Sequence, residues 1–180
     1  GAAVRAMDRG DPDQARADFD RAIRARPNFA EAYFNRALAR ETLGEWDGAL
    51  ADLDQAVRLG LTSTRVYFVR SSVRKRLGDA AGAAADFSEG LRRTPNDPDS
   101  FVARGVARLR EGADPALALA DFEQASRLDP WNRAALENIA HVQSEKLGKT
   151  EAAIETLDRL IERHPESAAA RAGRGVLLAR

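Results

Sequence analysis

The chain repeats itself. "LGEWDGALADLDQAV" at Leu43–Val57 returns as "LGDAAGAAADFSEGL" at Leu77–Leu91, 34 residues later. Candidate turn glycines stand at Gly10, Gly44, Gly78, Gly112 and Gly148, with spacings of 34, 34, 34 and 36. In register behind them come Ala15, Ala49, Ala83, Ala118 and Ala153, then Phe19, Leu53, Phe87, Phe122 and Leu157. Pro27, Pro95, Pro130 and Pro165 close most units, with Leu61 standing in once. A fixed period of roughly 20–50 residues marks a repeat architecture, in which each copy is one supersecondary unit.

Each period reads as two helices. The first stops at the glycine, which enters the left-handed region without strain. The second starts just after it. In "GDPDQA" and "GADPAL", Asp11 and Asp114 are set as N-caps, and Pro12 and Pro115 occupy first-turn positions where a missing N–H costs nothing. Asp97 (before Pro98), Asn132 and Ser167 are placed to cap later first helices. Apolar spacing is helical, as in Ala49, Leu53, Ala56 and Val57, and no segment alternates like a strand. Such a hairpin cannot bury both faces alone, so successive hairpins must stack. Small residues at Ala37, Ala49, Gly105 and Ala118 allow close helix approach. Tyr33, Phe87, Phe101 and Phe122 are expected to fill between layers, each giving about 1.5–3 kcal/mol if fully buried.

These features resemble the tetratricopeptide repeat (TPR) family. The resemblance is carried by Tyr33, Leu43, Gly44, Trp46, Ala49, Leu53 and Ala56, then by Tyr67, Leu77, Gly78, Ala83, Phe87 and Pro95. It implies an all-α, right-handed superhelical solenoid of antiparallel helix hairpins over residues 1–180. Its units would be 1–29 (partial), 30–63, 64–97, 98–132, 133–167 and 168–180 (partial), giving eleven helices with the first and last incomplete or unpaired. The chain departs from the family pattern with Arg36, Arg70 and Arg104 at a usually apolar place. Arg40, Arg74 and Arg108 replace a usual aromatic, and Gly90 a helix Ala. Two units carry one extra residue. One falls in the 112–117 turn; the other falls within 141–146, inside a helix, and predicts a wide or π-type turn. The opening "GAAVRAM" has no initiator Met and reads as the start of a piece cut from a longer protein.

Each of three copies keeps an Asp in its apolar run. Asp52 and Arg36 are each eight residues from Gly44, and Asp86 and Arg70 eight from Gly78. Arg104 and Asp121 are eight and nine from Gly112. The fifth unit replaces both partners, with Ile139 and Thr156. Joint presence and joint loss predict an internal Arg–Asp pair within each hairpin rather than a charged binding ladder. Arg40, Arg74 and Arg108, one turn away, could compete for the same carboxylates.

The 28 basic residues balance the 28 acidic ones. That argues against general nucleic-acid binding, which needs excess positive charge. There is no Cys, hence no disulfide or thiolate site, and no apolar run of membrane-spanning length or signal peptide. A cytoplasmic setting is the default expectation while native terminal signals are absent. His141 and His164 fall at unrelated repeat positions, so neither a metal site nor a catalytic dyad is indicated. "GKT" at Gly148–Thr150 has Gln143 where a phosphate-binding loop needs glycine, and reads as a turn and helix start. No enzyme chemistry and no cofactor are expected.

The family resemblance implies protein or peptide binding on a concave groove lined by first helices. Transferred residue by residue, that groove comprises Phe34, Asn35 and Leu38, then Arg65, Phe68, Val69, Ser72, Lys75 and Arg76. Val102, Val106, Arg110 and Asn138 follow. Asn35 and Asn138 match a family position whose amide often bonds a peptide backbone. Phe34 and Leu38 stand where members that clamp chaperone tails carry Lys or Arg, which argues against that ligand. "RVYFVRSSVRKRLG" holds five cations before its first acid, Asp79. An apolar peptide with an acidic segment would suit it. Other readings are a regulatory or localising region of a larger multidomain enzyme, such as a bacterial signalling protein, and self-association through unpaired terminal helices.

Overall fold

A computed structural model of the chain describes residues 11–179. Among them are ten α-helices and no strand. They are α1 Pro12–Ala25, α2 Ala30–Thr42, α3 Trp46–Arg58, α4 Thr64–Arg76 and α5 Ala80–Arg92, followed by α6 Pro98–Arg110, α7 Pro115–Leu128, α8 Arg133–His141, α9 Thr150–Arg163 and α10 Ala168–Leu178. The eleventh expected helix, at the chain start, and the turn at Gly10 lie outside the described residues.

Helix ends follow the local signals. Asp11, Asp97, Asp114, Asn132 and Ser167 each accept a backbone N–H of the following first turn. Gly44, Gly78, Gly112 and Gly148 all have positive φ, from 63° to 83°. After α2, the Glu45 N–H donates to the Arg40 carbonyl (2.9 Å) and Gly44 to Glu41 (3.1 Å), the paired closure that a left-handed residue permits. Asp79 to Arg74 and Ala113 to Arg108 repeat it. The second helix of the 30–63 unit lacks its closing proline for a different reason. Gly60, at φ 92°, ends α3, and Leu61 N–H donates to the Ala56 carbonyl at 2.9 Å. The extra residue in 141–146 is taken up as a π-helical turn, Val142–Lys146, continuing α8.

The chain divides into two compact units, residues 1–92 and 93–180. In the first, Ala37, Ala49, Leu53 and Ala56 pack with Phe34, Val66, Tyr67 and Val73, while Ala15 and Phe19 pack with Ala32 and Ala39. The second holds two clusters, Ala118, Leu119, Phe122, Ile139 and Val142, and Leu136, Ala140, Ala153, Leu157, Leu160, Ala170 and Leu177. Phe122 is fully buried against Gly105, where an added Cβ would stand 2.5 Å from the ring. Tyr33, Phe87 and Phe101 are only half-buried. Gly90, a departure from the family's helix Ala, lies under the Phe68 ring, 2.8 Å from where its Cβ would be.

Candidate functional site

The polar residues of the apolar stripes form joints. Arg36 donates from Nε and Nη2 to both oxygens of Asp52, at 2.8 and 2.5 Å. Arg70 grips Asp86 the same way at 2.9 and 2.6 Å, and Arg104 grips Asp121 at 3.0 and 2.6 Å. The carboxylates are 2–4% exposed. Hydrogen bonding to Asp52 and Asp86 holds the Arg36 and Arg70 guanidinium groups above their ordinary pKa. The expected pairs within each hairpin are therefore present.

Two details exceed the expectation. Arg40, Arg74 and Arg108 do not displace the first arginines; they share the same carboxylates at 2.8, 3.0 and 2.8 Å. The first arginines also reach the preceding hairpin. Arg36 Nη1 donates to Asp20 (2.7 Å) and Arg70 Nη1 to Asp54 (3.0 Å), carboxylates one residue past the Phe19 and Leu53 positions. In the second unit Arg104 Nη1 donates to the Arg93 carbonyl at 3.0 Å instead. The fifth hairpin replaces the whole joint with neutral groups. Ile139 is buried, and Thr156 Oγ1 donates to Oε1 of Gln143, which stands where Arg40, Arg74 and Arg108 stand. A cavity of about 360 Å³ opens there, lined by Glu123, Ile139, Gln143 and Thr156.

The groove residues of the first unit lie on α2 and α4. Phe34 departs from the exposed place expected of an anchor. It is 7% exposed and belongs to the core, with the Arg65 guanidinium 5.5 Å over its ring. Leu38 and Val69 are half-buried against that core. Phe68 is half-buried and edge-on to Phe87, with centroids 5.4 Å apart. Asn35 is half-buried and its side-chain amide makes no hydrogen bond among the described residues. Ser72, Lys75 and Arg76 are exposed, with the Arg76 guanidinium 5.4 Å from the Trp46 ring.

The basic run on α4 is less unbalanced than its sequence suggests. Arg70 and Arg74 are consumed by Asp86. Glu41, from α2, lies in the field of Arg76 and Arg65. Its burial raises its pKa above the ordinary value, and the two cations only partly offset that. Lys75 is the exposed cation of the run that has no such partner among the described residues.

In the second unit Val102 and Val106 are half-buried against the Phe122 cluster, and Arg110 is exposed. Asn138 donates Nδ2 to the Ala134 carbonyl of its own helix at 2.8 Å, so that donor is already used. A larger cavity, about 660 Å³, opens between α8, α9 and α10. Ala140, Leu157, Leu160 and Gly173 give it an apolar floor, and Arg133, Glu137 and His141 a polar rim. Sequence reasoning stopped at α8 and missed the part contributed by α10. The signal was available: small residues at Ala169, Ala170 and Gly173 leave room where bulkier side chains would fill it. Among the described residues no group of three or more His, Asp or Glu is placed to hold a metal ion, and no helix is long and apolar enough to cross a membrane.

Antiparallel hairpins closed by left-handed glycines, with period-locked small and bulky positions, define a helical-hairpin repeat protein. Profiles described as tetratricopeptide repeat match residues 1–62 and 108–177, and the chain belongs to that family. Comparison with curated proteins gave no match. Among solved structures, it is similar to TTC0263, a thermophilic TPR protein of Thermus thermophilus. The TM-score is 0.73 at 21% identity, covering 99% of this chain and 96% of that one. It is also similar to YrrB, a TPR protein with an unusual peptide-binding site, at a TM-score of 0.58 and 24% identity, covering 89% and 82%. These likenesses concern the fold.

Proposed function

We propose that the chain is a non-catalytic protein-interaction scaffold that binds an extended or helical peptide on its first-helix faces. The observation that carries this reading is the α2–α4 face of the first unit. There Leu38, Phe68 and Val69 stay half-exposed, and the Asn35 amide is unused among the described residues. Apolar anchors with a few placed hydrogen-bonding groups are what peptide recognition needs. The internal joints consume the Arg–Asp charges, so the face itself is apolar with Arg65, Lys75 and Arg76 at its margin, partly offset by Glu41. The peptide would bring apolar side chains and an acidic neighbour, the acid governing orientation and on-rate more than affinity. In the second unit, Val102, Val106 and Arg110 present the same kind of surface. YrrB, a similar fold with a peptide-binding site, supports peptide as the ligand class.

A peptide-display selection followed by chemical-shift mapping tests this. Bound peptides should perturb the Asn35, Leu38, Phe68 and Val69 signals. Lys75→Glu with Arg76→Glu should weaken binding while leaving helical content unchanged, since both side chains are exposed. Selected peptides that instead perturb α3 around Gln55, and bind the double variant normally, would refute the reading.

A further inference from the structure

The carboxylate one residue past the Phe19 and Leu53 positions meets an arginine of the next hairpin, with one exception. Asp20 takes Arg36, Asp54 takes Arg70 and Asp158 takes Arg174, at 2.7, 3.0 and 2.5 Å. Where the chain has Ser88 at that place, Arg104 turns to a backbone carbonyl. Glu123 is the exception. It keeps the acid, but the next hairpin presents Ile139 in the arginine's place, and half-buried Glu123 has no ion pair or hydrogen bond among the described residues. Ile139 replaces the apolar stem of an arginine without its guanidinium, and the cavity of about 360 Å³ lies there. A second departure opens it further. At the place of Ser126 the other second helices carry Ile23, Val57, Leu91 and Ile161. Ser126 lines the cavity at 9% exposure, and its hydroxyl has no hydrogen-bond partner among the described residues.

We infer that this cavity binds an arginine that carries its own carboxylate, either the free amino acid or the last residue of a polypeptide. The inner end suits a guanidinium. Glu123 stands where Asp20, Asp54 and Asp158 each accept one, and an unpaired carboxylate gains a charge-assisted bond by taking it. Ser126 Oγ is an idle acceptor beside it, and Thr156 Oγ1, which donates its proton to Gln143, keeps lone pairs for a second N–H. A flat guanidinium fork can reach several such acceptors at once, which an ammonium does less well. The outer end is basic. Arg127 and Arg159 line the cavity with exposed side chains and, with Pro130, mark its mouth. Arg127, one turn past Glu123, turns to Gln124 at 3.1 Å instead, and Arg159 has no acid partner among the described residues. A bare cation would be repelled on the way in. A ligand with a carboxylate behind its guanidinium matches both signs of the lining. None of these residues belongs to the α2–α4 face, so the inference does not depend on peptide binding there.

The test titrates the isotope-labelled chain with Nα-acetylarginine and, in parallel, with free arginine, Nα-acetylcitrulline and agmatine. The arginine compounds should give saturable shifts at the Glu123, Ser126 and Thr156 amides and the Gln143 side-chain amide. Saturation by the acetylated compound assigns the site to a chain end; saturation by free arginine alone assigns it to the amino acid. Nα-acetylcitrulline has the same shape without the cationic charge, and agmatine lacks the carboxylate. Each should bind about tenfold more weakly, as expected for loss of a charge-assisted hydrogen bond. Ser126→Val, which restores the residue of the 30–63 unit, should fill the cavity and block binding with helicity unchanged. Glu123→Gln, at a half-buried position that carries no fold contact through its charge, should also abolish binding and keeps the test independent of packing at Ser126. Absence of saturable shifts with both arginine compounds, equal binding of the citrulline compound or of agmatine, or undiminished binding by Glu123→Gln would overturn the inference. So would the same shifts produced by sodium acetate alone, which would make the cavity a simple anion site.

Discussion

Asp86→Ala probes whether the joints hold the fold. The Asp86 side chain is 5% exposed, accepts from Arg70 Nε and Nη2, and lies in ion-pair contact with Arg74 Nη1 at 3.0 Å. Removing it leaves two guanidinium groups facing one another across a hole. Breaking a buried ion pair costs about 3–5 kcal/mol, because the remaining charge stays desolvated. Two features put this case at the lower end. Arg70 keeps Asp54 at 3.0 Å, and Arg74, 22% exposed, can turn toward water. The expected loss is about 3 kcal/mol, which for a chain of this size lowers Tm by roughly 6–12 °C. Urea and thermal unfolding followed by circular dichroism measure it. Arg70→Met combined with Asp86→Leu should recover much of the loss, since the Arg70 fork is replaced by apolar groups of similar volume and the remaining Arg74, 22% exposed, can turn toward water. A loss below about 0.5 kcal/mol for Asp86→Ala would refute the reasoning and make the joint surface decoration. A double variant as unstable as the single one would show that shape, not charge, sets the cost.

Two further perturbations follow from packing and charge. Gly105→Ala gains about 1 kcal/mol of helix propensity but drives a Cβ to 2.5 Å from the fully buried Phe122 ring, so overpacking of about 1–3 kcal/mol should win and Tm should fall. Gly90→Ala makes a similar clash with Phe68, which is half-exposed and can yield, so the same assay should find it nearly neutral. Glu41 has a folded pKa raised by burial, so its contribution to stability is fully present below the unfolded carboxylate value and is lost as pH rises through the raised one. Glu41→Gln should therefore be more stable than the parent at neutral pH, with the difference vanishing below about pH 4 in denaturant titrations.

Much of the fold was legible because its signals are local and repeated. Five cap residues, the glycine turns and the extra residue in α8 each act within one helix turn, and register across the copies separated signal from noise. The joints were legible in half. Counting from the turn finds Arg36 opposite Asp52, but the link from Arg36 to Asp20 depends on how one hairpin stacks on the last, which no count from a single turn contains. Gly60 was passed over because the other units stop at proline, although a left-handed glycine ends a helix equally well. The groove fared worse. Reading "RVYFVRSSVRKRLG" as unbalanced searched for acids along the chain, whereas Glu41 arrives from the neighbouring helix. Phe34 was assigned by family position, whereas it packs into the core cluster, with the Arg65 guanidinium 5.5 Å over its ring.

The fifth hairpin explains what the joint does by lacking it. Its extra residue is wound into the π turn Val142–Lys146, and Gln143, the place of the second arginine, lies inside that turn. A fork of two guanidinium groups on one buried carboxylate demands fixed spacing along the first helix, because a misplaced charge in that setting is left desolvated. A wide turn at that position removes the fixed spacing. The pairing that stands there is one that tolerates drift: a hydroxyl to a side-chain amide, 2.9 Å long and uncharged, with Ile139 filling the arginine's place by apolar packing. Loss of Arg, Asp and second Arg together, in the one described hairpin whose first helix carries an insertion, is what a register device predicts. A ligand-binding ladder would have no reason to lose all three where the helix widens.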